Sequence, residues 1–410
     1  MISYEIAKEL VMSKVRLLGL QTISIQEALG KVVARPVRSG LSLPPFTNSA
    51  VDGYAIRSED TIGTFQERAI VSARLRLLAE QPAGNFFKVT VPKGTALKIM
   101  TGAPLPRGAD AVVPREEVEE GQGYIEIKRQ IKKGENVRLA GEDLKKGQVI
   151  IQRGTVLRPP HLGILAACGF RQVTVYRSPR VAVFITGNEL APPGRPLRPG
   201  MIYDSNSTLL QVLVRTTGAD LVAVKRIRDN LKALRAAFQW ASTQSDIIIT
   251  SGGVSVGDFD LVKAAAVEVK ARLVFWRVAQ KPAKPLAFYT LNRAKRHVYL
   301  FGLPGNPGAV LISFEEYVRP FIKKMMGWKE YEPRTIEAIL THEIKKKKGR
   351  LNFWRVKLQM EAGQWLAASA GPQESGIISS FAETQGLALI PAACDYLPAG
   401  SKVKVHLLEW

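Results

Sequence analysis

The chain has 410 residues, enough for two to four domains, and its 46% hydrophobic and 23% charged residues are typical of globular proteins. No apolar run approaches the roughly 18 residues that a membrane-spanning helix needs. Lys and Arg number 58 against 36 Asp and Glu, giving a net charge of +22, which nucleic acid, an anionic substrate in a basic cleft or a generally basic proteome would each explain. Nucleic acid is not expected as the main partner, because no zinc finger, helix-turn-helix or aromatic RNA-binding signature is present.

Charged residues at helical spacing run through the first twenty positions, MISYEIAKELVMSKVRLLGL. This pattern predicts an amphipathic helix over residues 2–18 and not a signal peptide. Cys168 and Cys394 lie far apart in apolar surroundings, and the four histidines show no metal-ligand spacing. We therefore expect two buried thiols in a cytoplasmic protein, without a disulfide framework or a Cys-based metal site.

A capping box, Ser24-Ile25-Gln26-Glu27, predicts a second short helix that ends near Val33. The segment LPPFTNSAVDGYAI follows, and its two prolines favour an extended entry. Asn48, Ser49 and Asp52 are the polar residues of this segment. They indicate either a binding loop or a turn in which Asn and Asp bond their own backbone.

Short strands and frequent turns predict a β-rich inserted domain over residues 46–142. Thr101-Gly102 and Glu142-Asp143 occupy two further polar loops of this region, as ligand-binding groups or as ordinary turns and solvated acids. Residues 1–45 and 143–177 together are expected to form an N-terminal helical and extended linking domain.

Strands alternate with helices over residues 178–327, which predicts an α/β domain with a mainly parallel sheet and helices on both faces. Polar or Gly/Pro-rich loops follow five of the predicted strands. These loops are Thr186–Glu189, Asp229, Ser251–Asp260, Lys281–Lys284 and Pro304–Pro307. Because ligands bind at the carboxyl ends of strands in open α/β sheets, we expect an active site at this edge.

The stretch Asp246–Asp260, DIIITSGGVSVGDFD, is the most informative of the five. A buried apolar strand leads into paired glycines flanked by hydroxyl groups, an arrangement that brings backbone N–H groups together around an anion. Asp258 and Asp260 then stand at the start of a predicted helix, where they could hold a cation or a proton. A plain Gly-rich turn is the alternative interpretation of this stretch alone.

The helical pattern stops after Trp328, and residues 328–410 are expected to form an all-β barrel of six or more short strands. Lys345–Lys348, Gly349 and Arg350 are typical of a solvated loop. From the pattern alone, Arg355 is expected to be a surface strand residue and Ser375 a turn residue.

Six motifs occur in order: PPFTNSAVDGYA, MTGAPLPRGADAVV, GEDLKKGQ, SGGVSVGDFD, KPAKP and GLPGNP. Each is weak alone, but together they are highly specific, and they extend over essentially the whole chain. The set resembles the molybdopterin molybdenumtransferase family, which performs the last step of molybdenum cofactor synthesis and includes the E domain of gephyrin.

The resemblance implies that molybdate is inserted into adenylylated molybdopterin, with Mg²⁺-assisted hydrolysis of the adenylyl group and release of AMP. It also implies a homodimer whose site combines the α/β domain of one subunit with loops from the inserted domain of the other. The upstream adenylyltransferase is a candidate partner. Two alternatives remain: an adenylyltransferase, which uses the same type of α/β domain, and a non-catalytic scaffold.

The resemblance also implies individual roles. The catalytic positions fall on Asp52, Thr101, Asp143, Glu189, Asp229 and Asp260. Substrate-binding positions fall on Lys281, Lys284, Pro304, Pro307, Arg355 and Ser375. The chemistry of the residues agrees with the roles that the resemblance implies. The lysines supply positive charge to an anion, and directed donors come from Ser251, Gly252, Gly253 and Ser255. The hard oxygen ligands expected for Mg²⁺ are Glu189, Asp229 and Asp260.

Three positions depart from the family pattern. Asn188 replaces an acid, Ala283 replaces a glycine, and Arg277 stands where relatives can carry lysine. The alanine is tolerable unless its φ is positive. The arginine keeps the charge with a different donor geometry.

Overall fold

The structure is a computed structural model that describes residues 1–62, 65–66, 69–70, 72–81, 84, 89–252, 259–293 and 296–409. At residues 65–66, 69–70 and 259–260 it describes the backbone only. The first helix, α1 (Tyr4–Ser13), begins at Ser3, whose hydroxyl accepts a hydrogen bond from the N–H of Ile6 at 3.2 Å. It is shorter than predicted at both ends. Ile2 instead forms a parallel bridge with Val278.

The helix predicted from Ser24 to Val33 is wrong. After strand β1 (Leu20–Ser24) only a single 3₁₀ turn, Ile25–Glu27, forms. The Ser24 hydroxyl accepts from the N–H of Gln26, two residues on, at 3.3 Å. Gly30 then takes a left-handed φ of +73° and Val33 bridges to Val175, so long-range pairing overrides the local capping signal.

The inserted region is β-rich. The strands that follow β1, up to the end of this region, are β2 (Val37–Arg38), β3 (Asn48–Ser49), β4 (Gly53–Ile56), β5 (Phe65–Gln66), β6 (Ala69–Ile70), β7 (Ala73–Gln81), β8 (Thr95–Ile99), β9 (Ala111–Pro114), β10 (Val118–Gly121), β11 (Tyr124–Ile127) and β12 (Val137–Arg138). Six of them form one sheet in the order β10-β11-β7-β8-β4-β9. Two further 3₁₀ turns are Ser58–Thr61 and Arg115–Glu117.

The linking region is built from two separate parts of the sequence. Its later part contains β13 (Val149–Ile151), α2 (Pro159–Ala167) and β14 (Gln172–Tyr176). Strand β1 pairs with β14, and β2 pairs with β13. Of the two cysteines, both free thiols, Cys168 is buried as expected, whereas Cys394 is only partly buried.

The α/β domain is organised around a six-stranded sheet. Its elements are β15 (Arg180–Thr186), β16 (Leu190–Ala191), β17 (Ile202–Tyr203), α3 (Ser205–Thr216), β18 (Asp220–Ile227), α4 (Leu231–Gln244), β19 (Ile247–Ser251), α5 (Phe259–Glu268), β20 (Arg272–Trp276), β21 (Gln280–Lys281), β22 (Ala287–Arg293), β23 (Arg296–Leu303), α6 (Pro307–Ser313), a π-helical turn (Phe314–Val318) and α7 (Arg319–Met325). The strand order is β18-β15-β19-β23-β22-β20.

Four strands of this sheet are parallel, and β22 and β20 add an antiparallel edge. Strand β22 was not expected from the sequence. Ile247, Ile248 and Ile249 are fully buried, because alternate side chains enter separate cores on the two faces. Helices α3, α6 and α7 cover one face, and α4 and α5 cover the other, as predicted. Each buried isoleucine contributes about 1.5–3 kcal/mol.

The C-terminal region forms the predicted closed barrel. Its strands are β24 (Thr335–Leu340), β25 (Ile344–Lys345), β26 (Leu351–Glu361), β27 (Gln364–Ser369), β28 (Gly386–Ile390), β29 (Tyr396–Leu397) and β30 (Lys402–Leu407), and a 3₁₀ turn covers Ser379–Glu383. The ring runs β26-β27-β24-β30-β28 and closes through a pairing of β28 with β26. The predicted multidomain α/β plus β fold is therefore confirmed.

A buried carboxylate in the π-helical turn ties both ends of the chain to the α/β domain. Glu316 is fully buried and accepts a hydrogen bond from the hydroxyl of Tyr4 at 2.6 Å. His406 Nδ1 lies 2.9 Å from its other oxygen, and Lys8 lies 3.8 Å away. Burial alone would raise the pKa of Glu316, but the contacts with His406, Lys8 and Tyr4 outweigh it and keep the pKa below its usual range.

None of the helices in the described residues combines the length and apolar character needed to cross a membrane.

Candidate active site

A cleft of about 290 Å³ lies at the carboxyl edge of the α/β sheet, where the sequence predicted a site. Four of the five predicted loops contribute to its wall. The lining residues are Ile185, Thr186, Gly187, Glu189, Leu190, Ile202, Tyr203, Asp204, Ser205, Asn206, Asp229, Ser251, Gly252, Gly305, Asn306 and Pro307. The parallel strands β15, β18, β19 and β23 deliver these loops to one edge, as open α/β sheets do.

Gly252 packs against the end of the neighbouring strand so closely that no side chain fits. Its φ is +86°, and a Cβ atom there would lie 2.3 Å from the carbonyl oxygen of Thr186. Both the backbone conformation and the close approach therefore require glycine. This contact joins the end of β19 to the loop that carries Glu189.

Asn206, at the start of α3, connects two walls of the cleft. Its Nδ2 donates to Ser251 Oγ at 3.0 Å and to the carbonyl oxygen of Gly305 at 2.6 Å. Ser251 Oγ donates in turn to the carbonyl oxygen of Pro304 at 3.0 Å. Ser251 is fully buried, so its hydroxyl holds the loop in place within the cleft wall.

Two carboxylates face the cleft from separate loops. The N–H of Asn188 donates to Asp229 Oδ2 at 2.9 Å, which orients the Asp229 carboxylate. Glu189 lies over Gly187, since a Cβ atom on that glycine would be 2.8 Å from both oxygens of Glu189. Such oxygens are suited to a divalent cation. Within the described residues, no group of three or more acidic, His or Cys side chains forms a metal site.

Of the predicted site residues, Asp260 is described only by its backbone, and two others are not described. Asp260 lies in the first turn of α5, but its side chain is outside the described residues. Gly253 and Ser255 are also outside the described residues.

The Lys281–Lys284 segment, the fifth of the predicted loops, contacts the barrel and is absent from the lining of the carboxyl-edge cleft. Lys281 belongs to β21, which pairs with Leu351–Asn352 of the barrel strand β26. Both lysines are exposed, and neither lines the cleft. Ala283, between them, is 4% exposed and has a φ of +67°, the conformation in which an alanine is strained.

The interpretation of Arg355 as a surface residue is wrong, because it is 1% exposed. Its Nη2 donates to the carbonyl oxygens of Pro372 at 2.6 Å and Glu374 at 3.2 Å, and its Nη1 donates to that of Ile377 at 3.3 Å. The guanidinium also lies 4.8 Å from the ring centre of Phe381. Arg355 thus fixes the loop that contains Ser375.

Ser375 lies in a turn, as predicted, and contacts the cleft wall. Its Oγ accepts a hydrogen bond from Asn306 Nδ2 at 2.9 Å, and its carbonyl oxygen accepts from the N–H of Gly308 at 3.2 Å. Pro304 and Pro307 flank Asn306 in the same loop, and Pro307 begins α6. The barrel therefore touches the carboxyl-edge cleft through Ser375.

Asp52 and Thr101 meet in the inserted domain, away from this cleft. The pairing of β4 with β8 places them side by side, and both the N–H and the hydroxyl of Thr101 donate to Asp52 Oδ1 at 2.7 Å. These hydrogen bonds, led by the hydroxyl, hold the pKa of Asp52 below its usual range. Asp52 is exposed and ionised, which fits a binding group as well as the predicted turn.

Asp143 is exposed, and its N–H donates to the carbonyl oxygen of Leu43 at 3.0 Å. Its neighbour Glu142 bonds Arg138 Nε at 2.9 Å, and this contact lowers the pKa of Glu142. Asp52, Thr101 and Asp143 are all absent from the lining of the carboxyl-edge cleft.

Asp204 and Asn206 line the cleft but were not predicted as site residues. Asp204 caps α3 by accepting from the N–H of Ser207 at 2.9 Å, and Asn206 connects the cleft walls. The run Tyr203-Asp204-Ser205-Asn206 between a Pro/Gly-rich loop and a helix was the available signal.

The fold and the cleft define a multidomain α/β protein with a small-molecule site at a sheet edge. Residues 2–169 match the MoeA N-terminal region (domain I and II). Residues 182–324 match the probable molybdopterin binding domain MoCF_biosynth, and residues 337–408 match the MoeA C-terminal region (domain IV).

Relatives extend over nearly the whole length of the chain. The molybdopterin molybdenumtransferase of Haemophilus influenzae is 37% identical over 393 residues, or 94% of each chain. The molybdopterin molybdenumtransferase 2 of Mycobacterium tuberculosis is 36% identical over 390 residues, again 94% of each. The crystal structure of the molybdopterin biosynthesis moea protein from Pyrococcus horikosii has a TM-score of 0.82, with 32% identity and 100% coverage of both chains. The chain belongs to the molybdopterin molybdenumtransferase family.

Proposed function

We propose that the chain inserts molybdenum from molybdate into adenylylated molybdopterin and releases AMP. Its family membership makes it a transferase of molybdenum cofactor biosynthesis. The observation that carries the proposal is the carboxyl-edge cleft, where Glu189 and Asp229 stand beside the close contact of Gly252 with Thr186. A cleft of this size fits a compact organic ligand.

Glu189 and Asp229 fit Mg²⁺, because both present hard carboxylate oxygens to the cleft, and Asp260 is the third proposed ligand. When bound, the ion would neutralise charge on the phosphoanhydride of the substrate. The protein's own contribution is positioning. The N–H of Asn188 orients Asp229, and the Asn206 amide fixes the loop before α6 against β19.

Positive charge for the anionic substrates is proposed to come from outside the cleft wall, whose lining contains no Lys or Arg among the described residues. Lys281, Lys284 and Ser375 are the proposed molybdate-binding residues, and Arg355 acts by holding the loop that contains Ser375. Lys281 lies on the strand that pairs with β26, which also carries Arg355, and Ser375 bonds Asn306 of the cleft. The proposed donors to the pterin phosphate are Gly252, Gly253 and Ser255. Ser251 supports this site from within the cleft wall through its hydrogen bond to Pro304, and Pro304 and Pro307 shape the adjoining loop.

We assign Asp52, Thr101 and Asp143 to the cleft of a second subunit in a homodimer. All three belong to a different part of the chain from the cleft, and both acids are exposed. Mixing two inactive variants, Asp52→Asn and Asp229→Asn, and allowing subunits to exchange tests this assignment. Random exchange makes about half of the dimers heterodimers, and one of the two sites in each heterodimer combines two intact halves. About a quarter of all sites should therefore become active. Activity no higher than that of the separate variants would reject the shared site.

The decisive assay follows AMP release from adenylylated molybdopterin with molybdate and Mg²⁺. We expect Asp229→Asn to reduce molybdate-dependent turnover at least 100-fold. Asp220→Asn is the matched control, since Asp220 starts the same strand, β18, at the opposite edge of the sheet. The proposal fails if the wild-type protein releases no AMP in response to molybdate. ATP-dependent adenylylation of molybdopterin would instead support the adenylyltransferase alternative.

We further propose a cytoplasmic location and contact with the upstream adenylyltransferase.

A further inference from the structure

A second cleft lies at the opposite edge of the α/β sheet, where β20 and β23 begin and β22 ends. Its volume is about 300 Å³. We call it the amino-edge cleft. Its polar side chains are Lys14, Arg16, Arg272, Thr290, Asn292 and His297. Leu303 lies six positions after His297 along β23, so the two clefts are roughly 20 Å apart.

Among the residues that the structure describes, the cations of the amino-edge cleft have no acidic partners. No carboxylate lines the cleft, and Lys14, Arg16 and Arg272 make no ion pair with any acid in the described part of the chain. Elsewhere in the same domain arginines are paired, as in the two hydrogen bonds of Arg177 to Asp246 at 2.9 and 3.0 Å. Concentrated positive charge of this kind attracts an anion.

Arg16 contacts the imidazole of His297 and not a carboxylate. His297 Nδ1 lies 2.7 Å from Asn292 Oδ1, an acceptor, so Nδ1 carries the proton and Nε2 accepts from Arg16. This contact positions the guanidinium while leaving its charge uncompensated. The remaining N–H groups of Arg16 and the whole fork of Arg272 are available to a ligand.

The cleft is anchored and partly apolar. The hydroxyl of Tyr299 donates to the carbonyl oxygen of Lys14 at 2.7 Å, which holds the segment after α1 against β23. The apolar lining residues are Leu273, Val274, Leu291 and Val298. An apolar floor with a cationic rim fits a small organic molecule that carries a phosphate, and the limited volume does not favour an extended polymer.

We propose that the amino-edge cleft binds the phosphate group of a small phosphomonoester, with Arg16 and Arg272 as the principal donors. Planar guanidinium forks match phosphate oxygens in pairs, and Lys14 adds an exposed point charge. This site is distinct from the carboxyl-edge cleft and does not depend on the function proposed for it.

Titration calorimetry of the full-length protein with phenyl phosphate, at low ionic strength, tests the proposal. We expect the variant Arg16→Gln/Arg272→Gln to bind at least 10-fold more weakly than wild type. The control Lys232→Gln/Lys263→Gln removes the same charge from exposed positions on α4 and α5 and should bind like wild type. Lys281→Gln/Lys284→Gln separates this binding from anion binding near the proposed active site and should also bind like wild type.

Inorganic phosphate in a parallel titration distinguishes an ester from the free anion. Binding of phenyl phosphate with at least equal affinity supports an organic ligand. Equal losses in the arginine variant and the α4/α5 control would overturn the proposal, as would loss of binding in the Lys281/Lys284 variant alone. Tighter arginine-dependent binding of a 20-nucleotide single strand than of phenyl phosphate would also overturn it, in favour of nucleic acid. Circular dichroism and thermal unfolding without ligand verify that each variant is folded.

Discussion

Replacing Gly252 with alanine tests how the carboxyl-edge cleft is assembled. The backbone conformation, with φ at +86°, costs an L-residue about 1–2 kcal/mol. The new Cβ would also lie 2.3 Å from the carbonyl oxygen of Thr186 and 2.9 Å from its Oγ1, and relieving such overpacking costs about 1–3 kcal/mol more. We therefore expect Gly252→Ala to lower the free energy of unfolding by about 2–5 kcal/mol.

A matched variant separates the two contributions. Gly200 has a similar φ of +79°, but a Cβ atom there would meet nothing within 4 Å. Gly200→Ala should therefore show only the conformational cost of about 1–2 kcal/mol. Denaturant unfolding of both variants gives the difference, which measures the contact between β19 and the end of β15.

Catalysis gives a second readout of the same contact. Since Thr186 precedes the loop that carries Glu189, its displacement in Gly252→Ala should reduce kcat for AMP release more than Gly200→Ala does. Equal destabilisation by the two variants would refute the argument from close packing. Equal kcat values would refute the link between this contact and the placement of Glu189.

Three further outcomes are expected. Ala283→Gly should leave the free energy of unfolding unchanged or raise it, because glycine adopts the positive φ at this position without strain. The control Ala287→Gly, in strand β22, should lower the free energy of unfolding by about 1 kcal/mol. Equal destabilisation of the two variants in denaturant unfolding would contradict the strain at Ala283. Thr101→Val should raise the pKa of Asp52 toward its ordinary range, measured by a carboxyl ¹³C NMR titration. Because folding lowers the pKa of Asp52, its carboxylate stabilises the protein above the unfolded-state pKa, and this stabilisation is lost as the pH falls through the folded-state pKa. Thr101→Val should therefore weaken the loss of stability at acid pH. Arg355→Lys should destabilise the barrel by about 1–3 kcal/mol, because an ammonium group cannot replace the guanidinium fork. An unchanged free energy of unfolding would show that the contacts of Arg355 with the carbonyl groups contribute little to stability.

The placement of the main cleft could be predicted from the sequence because it depends on local patterns. Apolar runs such as Ile247–Ile249 mark buried strands, and the polar residues after them mark one edge of a parallel sheet. Asp229 and Ser251 were found in this way, and both line the cleft. Asn206 was missed because its importance depends on Gly305, which lies 99 residues later.

Long-range contacts explain the other differences. The environment of Arg355 is created by the loop at residues 372–377, and no pattern around Arg355 itself indicates that these carbonyl groups will surround it. Lys281 does not line the cleft and its strand pairs with the barrel, a partner that begins 70 residues later. The capping signal at Ser24 was real but local: it produced only the turn Ile25–Glu27, and the bridge of Val33 to Val175 overrode the rest of the predicted helix.

The contacts of Glu316 have a consequence for the order of folding during synthesis. Its partners Tyr4 and His406 lie 312 residues before it and 90 residues after it. A buried carboxylate without its hydrogen-bonding partners is costly, so the helix around Glu316 cannot take its final packing while residue 406 is still inside the ribosome. Completion of the α/β domain is therefore coupled to the synthesis of β30, which carries His406. A protein truncated before β30 should accumulate with an incompletely packed central domain, and cellular proteases should recognise it as unfinished.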